Sequence, residues 1–206
     1  MIIETLTVGA VQSNCYIIGC AESGTGIIVD PGDEAERILE MVNTHRLSIS
    51  HVLLTHAHFD HFMAAKAVVE ATGAPLALHP EDLPLLQAGG GAPMFGLPMP
   101  AIHNPEIWLA EGDTIPCGSL SFRVLFTPGH APGHVCFYEP AQGVLFDGDV
   151  LFAGSIGRTD LPGGNYETLM DSIAHKLMTL PDETVVYPGH GPRTTIGTER
   201  VSNPFL

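Results

Sequence analysis

The sequence predicts an α/β fold built from two similar halves. Short apolar runs rich in β-branched residues, which are typical of buried strands, occur in both halves of the chain. In each half a group of strands is followed by a helix, a further strand and a second helix. Because helices and sheets must each bury an apolar face, this repeated order predicts two sheets packed inside layers of helices.

The first half begins with three strands and a helix. The predicted strands are Ile2–Val8, 14–19 and 26–29, with a turn at 23–26 between the last two. Ala35, Ile38, Leu39 and Val42 then form an apolar stripe at helical spacing. The next segments predict a buried strand at 51–55, a helix at 62–71 and a short strand at 75–78.

The stretch 88–105 between the two halves fits no regular element. It contains four glycines, four prolines and several large apolar residues, so it predicts a loop with side chains to bury. Loops of this length are uncommon inside compact domains and often act as lids or binding loops. A simple surface excursion is the alternative, and the sequence leaves both open.

The second half repeats the pattern of strands and helices. The predicted strands are 107–109, 114–116, Leu120–Phe126, 135–138 and 144–146. A helix at 166–178, a strand at 184–187 and a short helical turn at 196–200 complete the chain.

Four side chains that can bind a metal ion lie within six positions, at His56, His58, Asp60 and His61. They occupy the turn between the strand 51–55 and the helix 62–71, and ligand sites of α/β folds tend to lie at such carboxyl ends of strands. Neutral imidazole nitrogens and carboxylate oxygens are ligands for divalent cations. This spacing predicts a metal-binding loop, and the alternative is a turn that happens to be rich in histidine.

Three later segments supply further ligand candidates, each just past a predicted strand. They contain His130, Asp149 and His190. Both of these histidines end a Pro-Gly-His turn, in which proline presets the turn and glycine permits close approach of the backbone. Such turns would let the two imidazoles point at a shared centre.

Charge and composition exclude several classes of protein. The formal net charge is −15 with only 8 basic residues, and such a surface repels phosphate backbones, so we expect no nucleic-acid partner. No apolar run reaches the roughly 18 residues of a membrane span, so we expect no membrane partner either. The amino terminus has no signal-peptide pattern, which predicts a cytoplasmic protein.

The four cysteines form no C-x-x-C pair and no dense framework. We therefore expect Cys15, Cys20, Cys117 and Cys136 to be buried free thiols in a reducing compartment, with one disulfide as the alternative.

The joint pattern of His-x-His-x-Asp-His with the later His130, Asp149 and His190 resembles the metallo-β-lactamase superfamily of hydrolases, over nearly the whole chain. This resemblance implies a four-layer αββα sandwich. It also implies that His56, His58 and His130 hold a first metal, while Asp60, His61 and His190 hold a second. Asp149 matches the carboxylate that bridges both metals.

Further residues narrow the resemblance to the short bacterial glyoxalase II-like proteins, which cleave thioesters such as hydroxyacylglutathione. They are Gly148-Asp149-Val-Leu-Phe, Gly157-Arg158, the segment around His190 and Asn203-Pro204-Phe205. The common zinc β-lactamases place a cysteine at the position of Asp149. We expect a single domain over 1–206, without the separate C-terminal helical domain that grips glutathione in full-length glyoxalase II.

Two residues are candidates for substrate binding. Arg158 stands where the glyoxalase II family has a lysine with a nearby tyrosine, and it could meet a substrate carboxylate. Where that family has a tyrosine after the last histidine, this chain has Pro192, which leaves glutathione specificity open. His134 could face the substrate, support a ligand or make a hydrogen bond at a strand start.

The resemblance implies two divalent metal ions, with zinc expected and iron or manganese as alternatives, because the ligand types suit all three. Two cations roughly 3.5–4 Å apart would share a hydroxide that attacks the substrate carbonyl. Asp60 would be catalytic, because it can both ligate a metal and orient the hydroxide. A thiolate leaves without a strong general acid, so a small-molecule thioester is the expected substrate.

Other functions remain open. A mononuclear iron persulfide dioxygenase would use His56, His130 and Asp149 on the same scaffold. A lactonase or another ester hydrolase on the same fold is a further alternative, and so is weak β-lactamase activity. The acidic composition disfavours a nuclease, and a non-enzymatic metal-binding module is the remaining class. The oligomeric state is not predicted.

Overall fold

Two six-stranded β-sheets pack face to face, and helices cover the outer face of each. The computed structural model describes residues 1–206. The first sheet is formed by residues 2–108 and the second by residues 114–195, so each half of the chain supplies one sheet.

The first sheet has the strand order β1-β2-β3-β4-β5-β6. These strands are β1 (Ile2–Val8), β2 (Ser13–Gly19), β3 (Thr25–Val29), β4 (Ser48–Leu53), β5 (Leu76–Leu78) and β6 (Ile107–Trp108). The first three strands pair antiparallel, whereas β3 to β6 pair parallel. The parallel strands therefore direct their carboxyl ends to one edge, where the loop after β4 carries the His-rich motif.

The second sheet has the order β14-β13-β10-β9-β8-β7. Its strands are β7 (Thr114–Cys117), β8 (Leu120–Phe126), β9 (Val135–Glu139), β10 (Val144–Gly148), β13 (Val185–Pro188) and β14 (Thr194–Thr195). Only β10 and β13 pair parallel. A separate hairpin of β11 (Leu151–Phe152) and β12 (Ser155–Ile156) follows β10.

The helices are short. They are α1 (Ala35–Thr44), α2 (Phe59–Phe62), α3 (Ala65–Thr72), α4 (Leu83–Gln87), α5 (Tyr166–His175) and α6 (Ile196–Ser202). Three 3-10 turns lie at Pro80–Asp82, Ala92–Phe95 and Leu177–Thr179. None of the helices combines the length and the apolar character that crossing a bilayer requires.

Alternation along the strands creates three apolar interfaces. In β2, Cys15 and Ile17 face α1 and α3, while Tyr16 and Ile18 face the second sheet. In β10, Phe146 and the residue two positions before it face the first sheet. The residue between these two packs against α5 and α6. Period-2 alternation thus divides the core into helix–sheet, sheet–sheet and sheet–helix layers. The predicted αββα sandwich of two similar halves is confirmed.

The helix predicted at 62–71 differs from the structure, where α2 ends at Phe62 and α3 begins at Ala65. Tertiary contacts replace the hydrogen bond that would join the two helices. The carbonyl of Asp60 accepts a bond from the hydroxyl of Ser13 (2.6 Å), and the Ala64 N–H donates to the carbonyl of Pro31 (3.0 Å). Asp60 and His61 therefore lie on a short helix of their own.

Several short elements were not predicted, namely β11, β12, β14, α4 and the 3-10 turns. They span two to five residues, too few for a periodic pattern in the sequence. All four cysteines are buried free thiols, as expected.

Candidate metal centre

All seven predicted ligands lie at one end of the two sheets. The loop after β4 and the helix α2 carry four of them, and the loops after β8, β10 and β13 carry one each. They are His56, His58, Asp60, His61, His130, Asp149 and His190, and their ligand atoms form overlapping groups that could each hold a metal ion.

Three ring nitrogens converge in the first group. Nε2 of His130 lies 2.9 Å from Nδ1 of His58 and 3.2 Å from Nε2 of His56. All three side chains are buried. Residues from both halves of the chain therefore meet at one point.

The remaining nitrogens of two of these rings assign their tautomers. Nδ1 of His130 donates to the carbonyl of Arg158 (2.8 Å), so Nε2 carries a lone pair. The hydroxyl of Thr55 donates to a carboxylate oxygen of Asp30 (2.6 Å) and accepts from Nδ1 of His56 (3.0 Å), which again leaves Nε2 with a lone pair. Two lone pairs facing each other at 3.2 Å repel, and a cation between them removes the repulsion.

The second group is formed by Asp60, His61 and His190. A carboxylate oxygen of Asp60 lies 3.1 Å from Nε2 of His190 and 3.6 Å from Nε2 of His61. Nδ1 of His190 faces the carbonyl of Gln12 (3.2 Å) and its Nε2 hydrogen-bonds to Asp60, so a metal ion at this Nε2 would replace the proton between the two groups.

Asp149 faces both groups with different oxygens. Its Oδ1 lies 3.6 Å from Nε2 of His61, and its Oδ2 lies 3.5 Å from Nε2 of His130. This is the placement that a bridging carboxylate needs.

The donor set fits divalent cations. Nε2 of His61 and Oδ1 of Asp149 are buried without a hydrogen-bond partner, although buried polar atoms are normally paired. Imidazole nitrogens and carboxylate oxygens suit zinc, iron and manganese alike, so the donors do not select one metal.

Opposing forces act on the histidines. Burial and the neighbouring His130 lower the pKa of His58 to about 3. Burial also disfavours the charged ring of His61, but the carboxylates of Asp60 and Asp149 outweigh this and raise its pKa to about 10. The second group therefore attracts positive charge, as a proton or as a metal ion.

Residues 8–190 match the sequence profile of the metallo-β-lactamase superfamily. The chain belongs to the metallo-β-lactamase superfamily. It is a metallo-hydrolase of that superfamily, with histidine and aspartate groups for metal binding.

Among curated superfamily members, the hydroxyacylglutathione hydrolase GloC of Haemophilus influenzae is 43% identical over 209 positions, which cover 100% of this chain and 98% of that protein. The probable metallo-hydrolase YqgX of Bacillus subtilis is 42% identical and is covered to 95%, with 98% of this chain aligned.

Solved structures of the superfamily show the same fold. The BLEG-1 B3 metallo-β-lactamase has a TM-score of 0.94 at 38% identity, with 100% of this chain and 99% of that one covered. The di-iron-bound form of TTHA1623 has a TM-score of 0.90 at 46% identity, with 98% and 100% covered. ETHE1 from Myxococcus xanthus has a TM-score of 0.84 at 32% identity, with 99% and 84% covered.

Two buried aspartates that were not predicted from the sequence accept hydrogen bonds from residues in and around the His-rich motif. Asp30 accepts hydrogen bonds from the Thr55 N–H (2.7 Å) and from Nδ1 of His61 (3.0 Å). Asp82 accepts from the Ala57 N–H (2.8 Å) and from the Gly133 N–H (2.5 Å). Asp30 carried a weak signal, because it follows a strand directly, whereas no pattern marks Asp82.

His134 is completely buried, and it faces Asp149 instead of the cleft. Its Nε2 accepts from the Asp149 N–H (3.1 Å), and its Nδ1 lies 2.9 Å from the hydroxyl of Thr127. The expectation that His134 faces the substrate is therefore wrong, and the alternative of a residue that supports a ligand matches the structure.

Arg158 lines the cleft over the metal centre. Its side chain forms two hydrogen bonds of 2.7 Å with the carboxylate of Asp160. Because Asp160 already neutralises much of its charge, the guanidinium would bind a substrate carboxylate only in competition with Asp160.

The cleft has a volume of about 360 Å³. Besides the ligands it is lined mainly by apolar residues, including Val11, Phe59, Phe95, Phe152 and Leu161. Gly90 and Phe95 come from the loop 88–105, and the Phe59 N–H donates to the carbonyl of Gly90 (3.0 Å). This placement favours the binding-loop alternative for 88–105.

The glycine of each Pro-Gly-His turn permits close packing, as expected. A Cβ atom at Gly189 would collide with a carboxylate oxygen of Asp149 and lie 2.7 Å from His61. Gly129 has a φ of +130°, and a Cβ there would collide with the backbone of Leu169. Neither turn could approach its neighbours with a larger residue.

The first sheet also holds the loop of His190 directly. The side-chain amide of Asn14 in β2 donates to the carbonyls of Pro188 (3.0 Å) and Gly191 (2.9 Å). The hydroxyl of Tyr16 donates to Pro188 as well (2.5 Å). A ligand from the second half is thus positioned by a strand of the first.

Proposed function

We propose that the chain hydrolyses thioesters of the hydroxyacylglutathione type. The observation that supports this most is the placement of Asp149, whose carboxylate faces both groups of ligands. Such an arrangement suits two metal ions acting on one carbonyl group. The GloC relative, named as a hydroxyacylglutathione hydrolase, supports the same reaction class.

The residues divide between two divalent cations, which we propose to be zinc, with iron and manganese as alternatives. His56, His58 and His130 would hold one, and Asp60, His61 and His190 the other, with Asp149 shared. When bound, two such cations lower the pKa of a water molecule to about 7 and polarise the carbonyl of the substrate.

Asp60 is the residue of the chain suited to orienting that water. Burial opposes its ionisation, but His61 and a hydrogen bond from His190 outweigh the burial and hold the pKa of Asp60 below its usual range. Asp60 therefore stays a carboxylate that accepts a hydrogen bond from the water. The water oxygen adds to the acyl carbon and the C–S bond breaks. One proton of the water ends on the thiol, and the other is released to solvent because the acid product is ionised at neutral pH.

The lining of the cleft favours a thiolate leaving group. Apart from the ligands, its polar side chains are those of Ser155 and Arg158, and neither is a general acid at neutral pH. An amide nitrogen needs a proton in order to leave, whereas a thiol with a pKa near 8.5 leaves as a thiolate. This supports thioesters over peptides and other amides.

The test measures metal content and hydrolysis of S-D-lactoylglutathione in the same preparations. We expect two metal ions per chain in the wild type. His58→Ala and Asp149→Ala should lose metal and activity together. The loss should exceed the roughly 10–100-fold reduction that is typical when a residue hydrogen-bonded to a ligand is replaced. His175→Ala, at an exposed position on α5, is the matched control and should retain both. Full metal content and full activity in either ligand variant would contradict the proposal.

Persulfide oxidation at a single iron is the second candidate. Nε2 of His130 lies 3.2 Å from Nε2 of His56 and 3.5 Å from Oδ2 of Asp149, which is the ligand set that this reaction would use. A single iron at these three residues would leave Nε2 of His61, which is buried without a hydrogen-bond partner, with no metal to bind. One iron per chain, with oxygen consumption and sulfite formation from glutathione persulfide, would select this candidate over thioester hydrolysis.

A further inference from the structure

A second cavity opens from the cleft and extends beneath the loop 88–105. It has a volume of about 230 Å³ and lies between this loop and the segment 161–162. His58, Phe95 and Leu161 line both spaces, so the cavity adjoins the cleft beside a ligand of the metal centre. A substrate held at the centre could extend a group into it.

The lining of this cavity is almost entirely carbon. Besides His58 and Gly91 its walls are Leu85, Ala88, Pro93, Met94, Phe95 and Leu161 with the adjacent proline. None of these side chains carries a formal charge or a strong hydrogen-bonding group. The walls offer a polar group no hydrogen-bond partner other than His58, whereas a hydrocarbon group would gain by covering the exposed apolar side chains of Met94 and Phe95.

The cleft itself differs in character from the apolar cavity. Arg158 and Ser155 line the cleft but not the apolar cavity. In thioester cleavage, negative charge develops on the sulfur, and the thiol side therefore benefits from a cation and from polar neighbours. The side chain of the acyl group develops no charge, so it is the part of the substrate that the apolar cavity suits.

The charge of the chain also favours an acyl group without a carboxylate of its own. The net charge is −15, and the one guanidinium at the cleft is already paired with Asp160. No lysine or arginine lines the apolar cavity. An acyl group with its own carboxylate would therefore meet no counter-charge there.

We propose that this cavity, which we name the acyl pocket, binds the hydrocarbon part of the acyl group and makes the enzyme prefer longer acyl groups over short ones such as acetyl and lactoyl. The proposal rests on the proposed thioester hydrolysis and adds the class of acyl group to it. Each methylene that enters the pocket should raise kcat/KM by about threefold to fourfold.

The experiment compares acetyl, lactoyl, butanoyl and hexanoyl thioesters of one neutral thiol, N-acetylcysteamine. We expect kcat/KM to rise at least about tenfold from acetyl to hexanoyl, and lactoyl to rank with acetyl. Ala88→Leu places three carbons into the pocket and should abolish the rise, which is read as the hexanoyl to acetyl ratio. Ala141→Leu, at an exposed turn in the second half, should keep the wild-type ratio.

A binding measurement separates the pocket from the reaction. Calorimetric titration of hexanamide and acetamide into the metal-loaded wild type should show at least about tenfold tighter binding of hexanamide, and Ala88→Leu should remove the difference. These neutral probes avoid repulsion by the acidic ligands.

The outcomes distinguish the two proposals. Thioester turnover without dependence on acyl length overturns the acyl pocket and leaves the proposed function intact. No turnover of any thioester overturns the proposed function, and the hexanamide titration still decides the pocket. If a series of alkyl thiols on an acetyl group shows the preference instead, the pocket holds the thiol side and the acyl assignment is wrong.

Discussion

Asp82 shows how a residue that touches no ligand side chain can control a metal centre. Its carboxylate is buried, and its two oxygens hold the N–H groups of Ala57 and Gly133. Ala57 lies between two ligands of the first group, and Gly133 lies three residues after His130. One carboxylate therefore fixes the backbone on both sides of the first group.

We expect Asp82→Ala to weaken metal binding by about 10–100-fold, because residues behind the ligands set ligand orientation. The two N–H groups left without a partner should also lower the free energy of unfolding by about 1–3 kcal/mol each. Competition with a chelator measures the affinity, and thermal unfolding measures the stability. Glu81→Ala, at the exposed neighbouring position, is the control and should change neither. Unchanged metal affinity in Asp82→Ala would show that the ligand loops hold their shape without this contact.

The charge around His61 gives metal binding a defined pH dependence. In the metal-free chain the pKa of His61 is raised from 6.5 to about 10, so the ring holds a proton throughout the neutral range. A metal ion at Nε2 must displace that proton. Because the proton competes below pH 10, apparent metal affinity at the second group should rise with pH between about 7 and 10.

Calorimetric metal titrations in buffers of different ionisation enthalpy measure the protons released. We expect about one proton from His61 at pH 7.5 and a further contribution from His190, because Asp60 and Asp149 outweigh burial and raise its pKa as well. We expect none from His58, whose lowered pKa keeps it neutral there. Binding enthalpies that do not change with the buffer would contradict a protonated His61.

At the level of elements, the backbone of the loop 88–105 is in direct contact with the His-rich turn. Gly90 has a φ of +61°, and a Cβ atom there would collide with the amide nitrogen of Phe59 and lie 2.6 Å from the carbonyl oxygen of Ala57. The backbone of the loop thus fills the space directly above the His-rich turn.

We expect Gly90→Ala to displace the His-rich turn, and so to lower both the melting temperature and the metal affinity. Gly91→Ala is a matched control, because its φ is +83° but nothing lies within 4 Å of an added Cβ. Both variants carry the cost of a left-handed residue, about 1–2 kcal/mol. The difference between them, measured by thermal unfolding and chelator competition, isolates the collision. If the two variants have the same melting temperature and the same metal affinity, the loop 88–105 can shift without disturbing the His-rich turn.

Local elements could be predicted where the residues that determine them are neighbours in the sequence. The His-rich turn and the two Pro-Gly-His turns follow strands whose apolar runs are visible in the sequence. The break between α2 and α3 was not predictable, because Ser13 and Pro31 cause it from distant positions. Asp30 and Asp82 were missed for the same reason, since their partners lie 25 and 51 positions away.

At the scale of the whole molecule, metal ions should stabilise the native state. The ligands come from both halves of the chain and meet only when the two sheets have packed. A ligand that binds only the native state stabilises it by about 2.7 kcal/mol at one hundred times its Kd. Removal of metal should therefore lower the stability of the entire sandwich.

We expect dialysis against a chelator to lower the melting temperature by several degrees, and added zinc to restore it. Asp149→Ala, which lacks the shared carboxylate, should show a smaller shift under the same treatment. Calorimetry with and without the chelator measures both. A melting temperature that does not respond to metal removal would contradict metal binding by the native state.

The amide of Asn14 that ties β2 to the loop of His190 has a mechanical consequence. Four ligands move with the first sheet and three with the second, so any sliding of one sheet over the other changes the distances between the ligands. Asn14 and Tyr16 resist that sliding at the loop of His190 itself. The spacing of the metal centre is therefore set by the rigidity of the interface between the sheets, and a substitution deep in that interface would alter the centre without touching it.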